Sequence, residues 1–229
     1  MELIYKGKTK DVYKNADDET IVLQFKDDMT GKDGVFDPGE NQVGLTVEGS
    51  GRAGLQLSSY FFERINEAGY PTHFISADLE KAQMHVKPME TFGQGLEVIC
   101  RFKATGSFIR RYGAYIEDGT PLKNFVEFTL KDDERKDPVI NEAGLVALNI
   151  LQPGEYAEIE HLTLKISALV KEELAEKGID MYDIKLEFGR DKDTGEIMLI
   201  DEISGGNMRA YKDNEFVAPL DLVKIFFEA

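Results

Sequence analysis

Tyr182-Asp183-Ile184-Lys185-Leu186-Glu187-Phe188 is the stretch on which the fold turns. Strict alternation sends Tyr182, Ile184, Leu186 and Phe188 to one face of a strand and Asp183, Lys185 and Glu187 to the other. One face is core, and the other is acidic with a lysine. Arg190-Asp191-Lys192-Asp193-Thr194-Gly195 then reads as a turn, and Ile197-Met198-Leu199-Ile200 as a buried strand that ends in Asp201-Glu202. The whole is a hairpin. Pairing centred on Thr194 places Glu187 opposite Asp201, and a slip of two residues keeps both acids on one face.

Upstream of the hairpin, Pro153 opens a long helix whose Ile159, Leu162, Ile166, Leu169 and Leu174 form one apolar stripe before Gly178 stops it. Leu96 to Phe102 and Asn124 to Leu130 read as strands. The first 30 residues form a small meander, Ile4-Tyr5, Asp11 to Tyr13 and Ile21 to Phe25, with a turn at Asn15-Ala16-Asp17-Asp18. Asp28 to Gly54 has many glycines and no period, so it is expected to be a long loop. A helix with Leu55, Ser58, Phe62 and Ile65 near helical spacing follows, and Gly69 stops it. Strands at Thr72 to Ser76 and Gln83 to Lys87 lead to a connection from Lys87 to Gly95. The expected fold is α+β in two lobes with a cleft between them: a small N-terminal antiparallel sheet domain, residues 1–90, and a larger α/β domain, residues 91–229.

Forty-three Asp and Glu against 27 Lys and Arg give a net charge of -16, which repels nucleic acid and anionic membrane. An anionic small substrate is compatible only where the few basic residues converge. The single cysteine, Cys100, excludes a disulfide framework or a cysteine-based metal site within the chain. Met1 to Lys6 is too polar for a signal peptide, and no apolar run reaches the roughly 18 residues of a membrane span, so a soluble cytoplasmic protein is expected. His73, His85 and His161 have no spacing suited to a metal or a nucleophilic triad. A monomer and a homo-oligomer both stay open.

The candidate chemistry lies at four places. Glu187 and Asp201, if they face one another, repel unless a cation sits between them; a nucleotide-bound Mg²⁺, which uses one or two protein carboxylates, would serve. A simply solvated charged face is the plain alternative. Lys6-Gly7-Lys8-Thr9-Lys10 is a glycine turn with lysines able to act as point charges on phosphates, although it is not a Walker A loop. Thr105-Gly106-Ser107 with Arg110-Arg111 follows the strand carrying Arg101 and suits a phosphate. Ser204-Gly205-Gly206-Asn207-Met208-Arg209 adds an arginine on a glycine-rich loop beyond Asp201.

Taken in order, these segments resemble the SAICAR (phosphoribosylaminoimidazole-succinocarboxamide) synthetase family along nearly the whole chain. The resemblance rests on Tyr5 to Tyr13, Asp28 to Gly34, Glu67 to His73, Glu97 to Arg101, Gly106-Ser107 with Arg110 to Gly113, Lys131 to Asp133, Asp183 to Gly189, and Asp201 to Ser204. It implies an ATP-grasp-like or kinase-like nucleotide site. ATP and Mg²⁺ are the implied cofactors, and carboxyaminoimidazole ribotide and L-aspartate the implied substrates. Lys8, Lys10 and Lys131 would face ATP phosphates or the reacting carboxylate, and Lys87 would join the cofactor set at the inter-lobe hinge. Glu187 and Asp201 would hold Mg²⁺, Asp201 by analogy with the metal-binding Asp of the kinase hairpin. Arg101, Ser107 and Arg209 would bind the ribotide, and Asp183 would stand with the catalytic and substrate-binding residues. The implied reaction phosphorylates the substrate carboxylate and lets the aspartate amine displace phosphate.

Two places depart from the family pattern. Glu48 to Ser58 lacks the usual Asn-Asn pair, and Ser204 is followed by Gly205-Gly206 where the family has Pro-Asp. The alternatives are a ligase of the same fold with a different amine or carboxylate substrate, and a non-catalytic nucleotide-binding regulator. Facing acids argue against the regulator, since binding alone does not need them.

Overall fold

The computed structural model describes residues 1–16, 19–40 and 42–228. Asp17 and Asp18 of the expected first turn lie outside them. The chain divides into two compact units, residues 1–88 with 202–229, and residues 89–201. This division differs from the expected 1–90 and 91–229 in placing residues 89 and 90 with the second unit and residues 202–229 with the first.

In the first unit, β1 (Glu2–Lys6), β2 (Lys10–Lys14) and β3 (Ile21–Phe25) form the expected meander. Residues 28–54 are more ordered than a loop: β4 (Asp28–Lys32), β5 (Val35–Phe36) and β6 (Val43–Thr46) pair as a small sheet in the order β5-β4-β6. Helix α1 (Ser50–Glu67) follows, then β7 (Phe74–Asp78) and β8 (Gln83–Val86), which complete an antiparallel sheet in the order β1-β2-β3-β8-β7. Helix α1 starts where it does because the Asp27 carboxylate accepts hydrogen bonds from the Gly49 and Gly51 amides, 3.1 and 3.0 Å. An acid there also complements the positive helix end. Leu55, Phe61, Phe62 and Ile65 are fully buried, and Phe62 stacks on Phe74 of β7 with ring centroids 5.6 Å apart. Each such side chain contributes about 1.5–3 kcal/mol of hydrophobic stabilisation.

The second unit opens with β9 (Met89–Thr91) and β10 (Leu96–Lys103), followed by the short α2 (Ser107–Tyr112) and β11 (Pro121–Leu130). After α3 (Glu142–Ala147), the long α4 (Glu155–Glu176) leads to β12 (Asp180–Asp191) and β13 (Ile197–Ile200). β10 pairs antiparallel with β11 on one side and β12 on the other, and β12 also pairs with β13 and β9. Helix α4 covers one face of this sheet. Ile159, Leu162, Ile166, Val170 and Leu174 are its buried stripe, with Val98, Cys100, Phe128, Ile184 and Leu186 opposite in the core. Val170 takes the place expected for Leu169, which is only half-buried. Gly178, with φ 70°, ends the helix as expected, and the Ile179 amide closes back on the Leu174 carbonyl at 3.0 Å.

The chain then returns to the first unit with β14 (Met208–Lys212), β15 (Glu215–Phe216) and α5 (Pro219–Glu228). α5 packs on α1, with Tyr60 edge-on to Phe226 at 5.0 Å. No helix among the described residues is long and apolar enough to cross a membrane.

Candidate active site

The register of the second unit's sheet decides what its polar face carries. Glu97 lies opposite Glu187, Ile99 opposite Lys185 and Arg101 opposite Asp183 across β10 and β12. Across β10 and β11, Glu97 meets Thr129 and Ile99 meets Glu127. Opposed residues share a face. The side turned away from α4 therefore presents Glu97, Arg101, Glu127, Thr129, Asp183, Lys185 and Glu187 together. The alternation of Tyr182 to Phe188 holds, but the charged face is not a simply solvated one: Asp183, Glu97, Glu127 and Arg101 are all buried.

Arg101 organises one end of this face. Its Nε and Nη2 donate to Glu127 Oε1 at 2.8 and 2.7 Å, Nη1 to Asp183 Oδ2 at 2.6 Å and to the Thr105 carbonyl at 3.2 Å, and Nη2 to Ser107 Oγ at 2.8 Å. Those five bonds engage all five N–H groups of a guanidinium. Arg111 meets the other oxygen of Glu127. Arg101, Ser107 and Asp183, singled out separately in the sequence, thus form one network, and Arg101 acts within it as the internal brace.

The other end gathers Lys131, Glu187 and Asp201. Glu97 and Glu187 stand directly opposite, a like-charge pairing that costs stability unless each is neutralised. Each has its own lysine: Lys185 Nζ donates to Glu97 Oε1 at 2.7 Å, and Lys131 Nζ to Glu187 Oε1 at 2.7 Å. Thr129 Oγ1 donates to Glu97 Oε2 at 3.1 Å. Lys131 reaches this point by crossing Gly95, where a Cβ would meet its Cδ at 2.9 Å.

The hairpin register corrects the expected pairing. Glu187 lies opposite Ile200, one residue off the expected Asp201. Continued as a strand, Asp201 would turn to the far face. Its φ of 68° instead breaks the strand and returns its charge to the neighbourhood of Glu187. Asp is among the few residues that adopt this backbone without large cost. Burial, and after it the Asp201 charge, push the Glu187 carboxyl above its ordinary range. For Lys131 and Lys185 burial disfavours the charge, but Glu187 and Asp201 around the first, and Glu97 and Glu187 around the second, outweigh it and raise both.

In the first unit, Lys8 is exposed in the turn between β1 and β2, and Lys87 is exposed after β8, its amide donating to the His73 carbonyl at 2.8 Å. Lys10 is buried, paired with Glu202 and 5.2 Å from the Phe25 ring centroid. Glu202 in turn accepts from Ser204 Oγ. Lys26 fixes the turn itself: its Nζ donates to the Gly7 carbonyl at 3.0 Å and its amide to that of Thr9 at 2.9 Å. Arg209 Nη2 donates to Asp37 Oδ1 at 2.8 Å.

Sequence reasoning missed Glu97, Glu127, Lys185, Lys26, Asp37 and Glu202 as site residues. Glu127 and Thr129 alternate with Val126 and Phe128, so the strand rule applied to Tyr182–Phe188 would have found them. Asp37 carried no such signal.

No cluster of three or more potential metal ligands occurs among the described residues. Two acids, one with its carboxyl pushed up by burial and then by the charge of the other, are however the donor set that a magnesium ion carried by a nucleotide uses. Glu187 and Asp201 fit that ion.

Residues 3–221 match the family model described as SAICAR synthetase. The chain is 58% identical over 228 residues, 100% of each chain to the nearest per cent, to the phosphoribosylaminoimidazole-succinocarboxamide synthase of Clostridium tetani. It is 38% identical to that of Streptococcus pneumoniae, with 92% of this chain and 84% of the other covered. A solved SAICAR synthetase (type 2) in complex with ADP superposes with a TM-score of 0.85 at 30% identity, covering 98% of this chain and 97% of that one. The Ehrlichia chaffeensis phosphoribosylaminoimidazole-succinocarboxamide synthase gives 0.84 at 29% identity, with 95% and 89% covered. On its sequence from residue 3 to residue 221 and on its fold, the chain belongs to the SAICAR synthetase family.

Proposed function

We propose that this protein is an ATP-dependent, ADP-forming ligase that joins L-aspartate to carboxyaminoimidazole ribotide through an acyl phosphate. The observation that carries this reading is the polar face of the second unit. It sets an acid pair with a lysine, Glu187, Asp201 and Lys131, on the same sheet as a braced hydroxyl–guanidinium group, Ser107 with Arg101. On the family reading, we assign the first group to the metal and the second to the ribotide site.

A free carboxylate is a poor electrophile, and transfer of a phosphoryl group to it supplies a leaving group. The protein's share is positioning and neutralisation of charge. Glu187 and Asp201 would hold Mg²⁺, which when bound supplies positive charge to the nucleotide phosphates. Lys131 and Lys185 keep their protons at neutral pH, since their acidic neighbours raise both. They act as fixed cations, and neither takes the proton from the attacking amine. Lys8 and Lys10 of the first unit are assigned to ATP phosphates, with Lys26 holding their turn in shape. Lys87 stays with the cofactor set. Ser107 and Arg209 are assigned to the ribotide; Arg101, whose N–H groups are all engaged, braces Ser107 from behind in place of the direct contact expected of it, and Asp183 holds Arg101 from the adjacent strand.

The test is ADP release by the purified protein with ATP, Mg²⁺, ribotide and aspartate, each omitted in turn. Release should require all four, and a background rate with the complete mixture would sink the proposal. Gly205-Gly206 favours one competing reading, a different amine. Higher kcat/KM with another amino acid than with aspartate would select it.

A further inference from the structure

Arg209 lies on β14 with its side chain 13% exposed, and a guanidinium so far out of water needs a counter-charge. The loop leading to it, Ser204-Gly205-Gly206-Asn207, carries no acidic side chain. Its shape also forbids one at 205. A Cβ on Gly205 would come within 2.6 Å of the Pro219 Cα, so the loop is pressed against the start of α5.

The carboxylate comes from far away in sequence. Asp37, just after β5, accepts from Arg209 across 172 positions of chain. Asp37 is gripped on its own side: its amide donates to the Thr30 carbonyl at 3.2 Å, and its carbonyl accepts from Thr30 Oγ1 at 3.1 Å. Its Oδ1 also accepts from the Gly39 amide at 2.8 Å. The preceding residue makes a second tie, because Phe36 stacks on Phe216 with centroids 6.2 Å apart, and Phe216 pairs with Tyr211 on β14. Two consecutive residues, one apolar and one charged, thus fasten the β4–β5 hairpin to the β14–β15 hairpin.

We propose that Asp37 is the positioning residue for Arg209, and that through it the β4–β5 hairpin sets the affinity for the phosphate-bearing substrate. This rests on the ligase reading, in which Arg209 meets the ribotide. A guanidinium tied through Nη2 to a carboxylate is restrained in direction, so an incoming anion orders less of it on binding. Asp37 therefore acts through Arg209 and touches no reacting atom.

The experiment compares the full-length protein with Asp37→Asn, Asp37→Glu and Arg209→Ala. Asp37→Asn should raise the KM for ribotide about tenfold, the usual effect of losing one charge-assisted hydrogen bond. The KM for ATP and kcat should move less than about twofold, since uniform binding is what is lost. Asp37→Glu should recover most of the affinity. An unchanged ribotide KM in Asp37→Asn, a fall in kcat alone, or a Glu variant as weak as the Asn variant would each overturn the proposal. Calorimetric titration with ribose 5-phosphate gives an answer independent of turnover. Binding should weaken in Asp37→Asn and vanish in Arg209→Ala; equal binding by all proteins, or none by the unaltered chain, also overturns it. Absence of ADP release by the unaltered protein defeats the ligase reading alone, and the titration then decides the role of Asp37.

Discussion

Replacing Arg101 by Met should unfold the second unit's polar face from within. Arg101 is 1% exposed, and the acids it pairs with, Glu127 and Asp183, are 3% and 4% exposed. Met fills much of the volume but leaves Asp183 without its guanidinium and Glu127 with Arg111 alone of its two arginines. Removing one partner of a buried pair costs about 3–5 kcal/mol, because the remaining charge keeps its desolvation penalty without the attraction that offset it. The triple variant Arg101→Met, Glu127→Gln, Asp183→Asn removes the charges together and should recover most of that loss. Neutralised or apolar replacements of buried ion clusters are often near neutral. Urea unfolding at pH 7.5, followed by circular dichroism for all three proteins, measures both effects. A single variant within about 1 kcal/mol of the unaltered protein, or a triple variant no more stable than the single, would refute the electrostatic account of this network.

Two further outcomes follow from the same geometry. Glu187 has its carboxyl raised above the ordinary 4.5, so the folded protein holds that proton more tightly than the unfolded chain does. Stability from this group therefore falls as pH rises between the two values and stays reduced above them. Glu187→Gln should flatten the dependence and be at least as stable at pH 7.5, while ADP formation drops about 100-fold or more. A clear loss of stability at pH 7.5 in the melting curve would contradict this. Gly205→Ala should cost about 1–3 kcal/mol, because its Cβ meets Pro219 backbone at 2.6 Å. Gly206→Ala, whose Cβ meets the movable Ser204 Oγ at 3.1 Å, should cost clearly less, and equal losses in thermal melts would speak against the close packing of the loop.

Much of the architecture was legible in the chain, for a physical reason. Alternation in Tyr182–Phe188 and the apolar stripe of α4 are local patterns that a strand and a helix must bury on one side. Gly69 and Gly178 stop their helices because only a residue free to take positive φ closes those ends. Single acids inside apolar strands, Glu97 and Glu127, were equally readable, since alternation gives their face.

What sequence alone could not decide was registration and long-range partnership. Whether Glu187 meets Asp201 depended on a one-residue shift in pairing, and then on the φ of Asp201, neither of which a periodicity encodes. The order in residues 28–54 stayed hidden because short strands with many glycines carry no period. The bond between Asp37 and Arg209 was further from reach. It joins two hairpins at opposite ends of the chain, and only the folded first unit, which groups residues 202–229 with residues 1–88, brings the carboxylate to the arginine. Composition and local pattern determined the elements and the family; tertiary structure determined which charges neutralise one another.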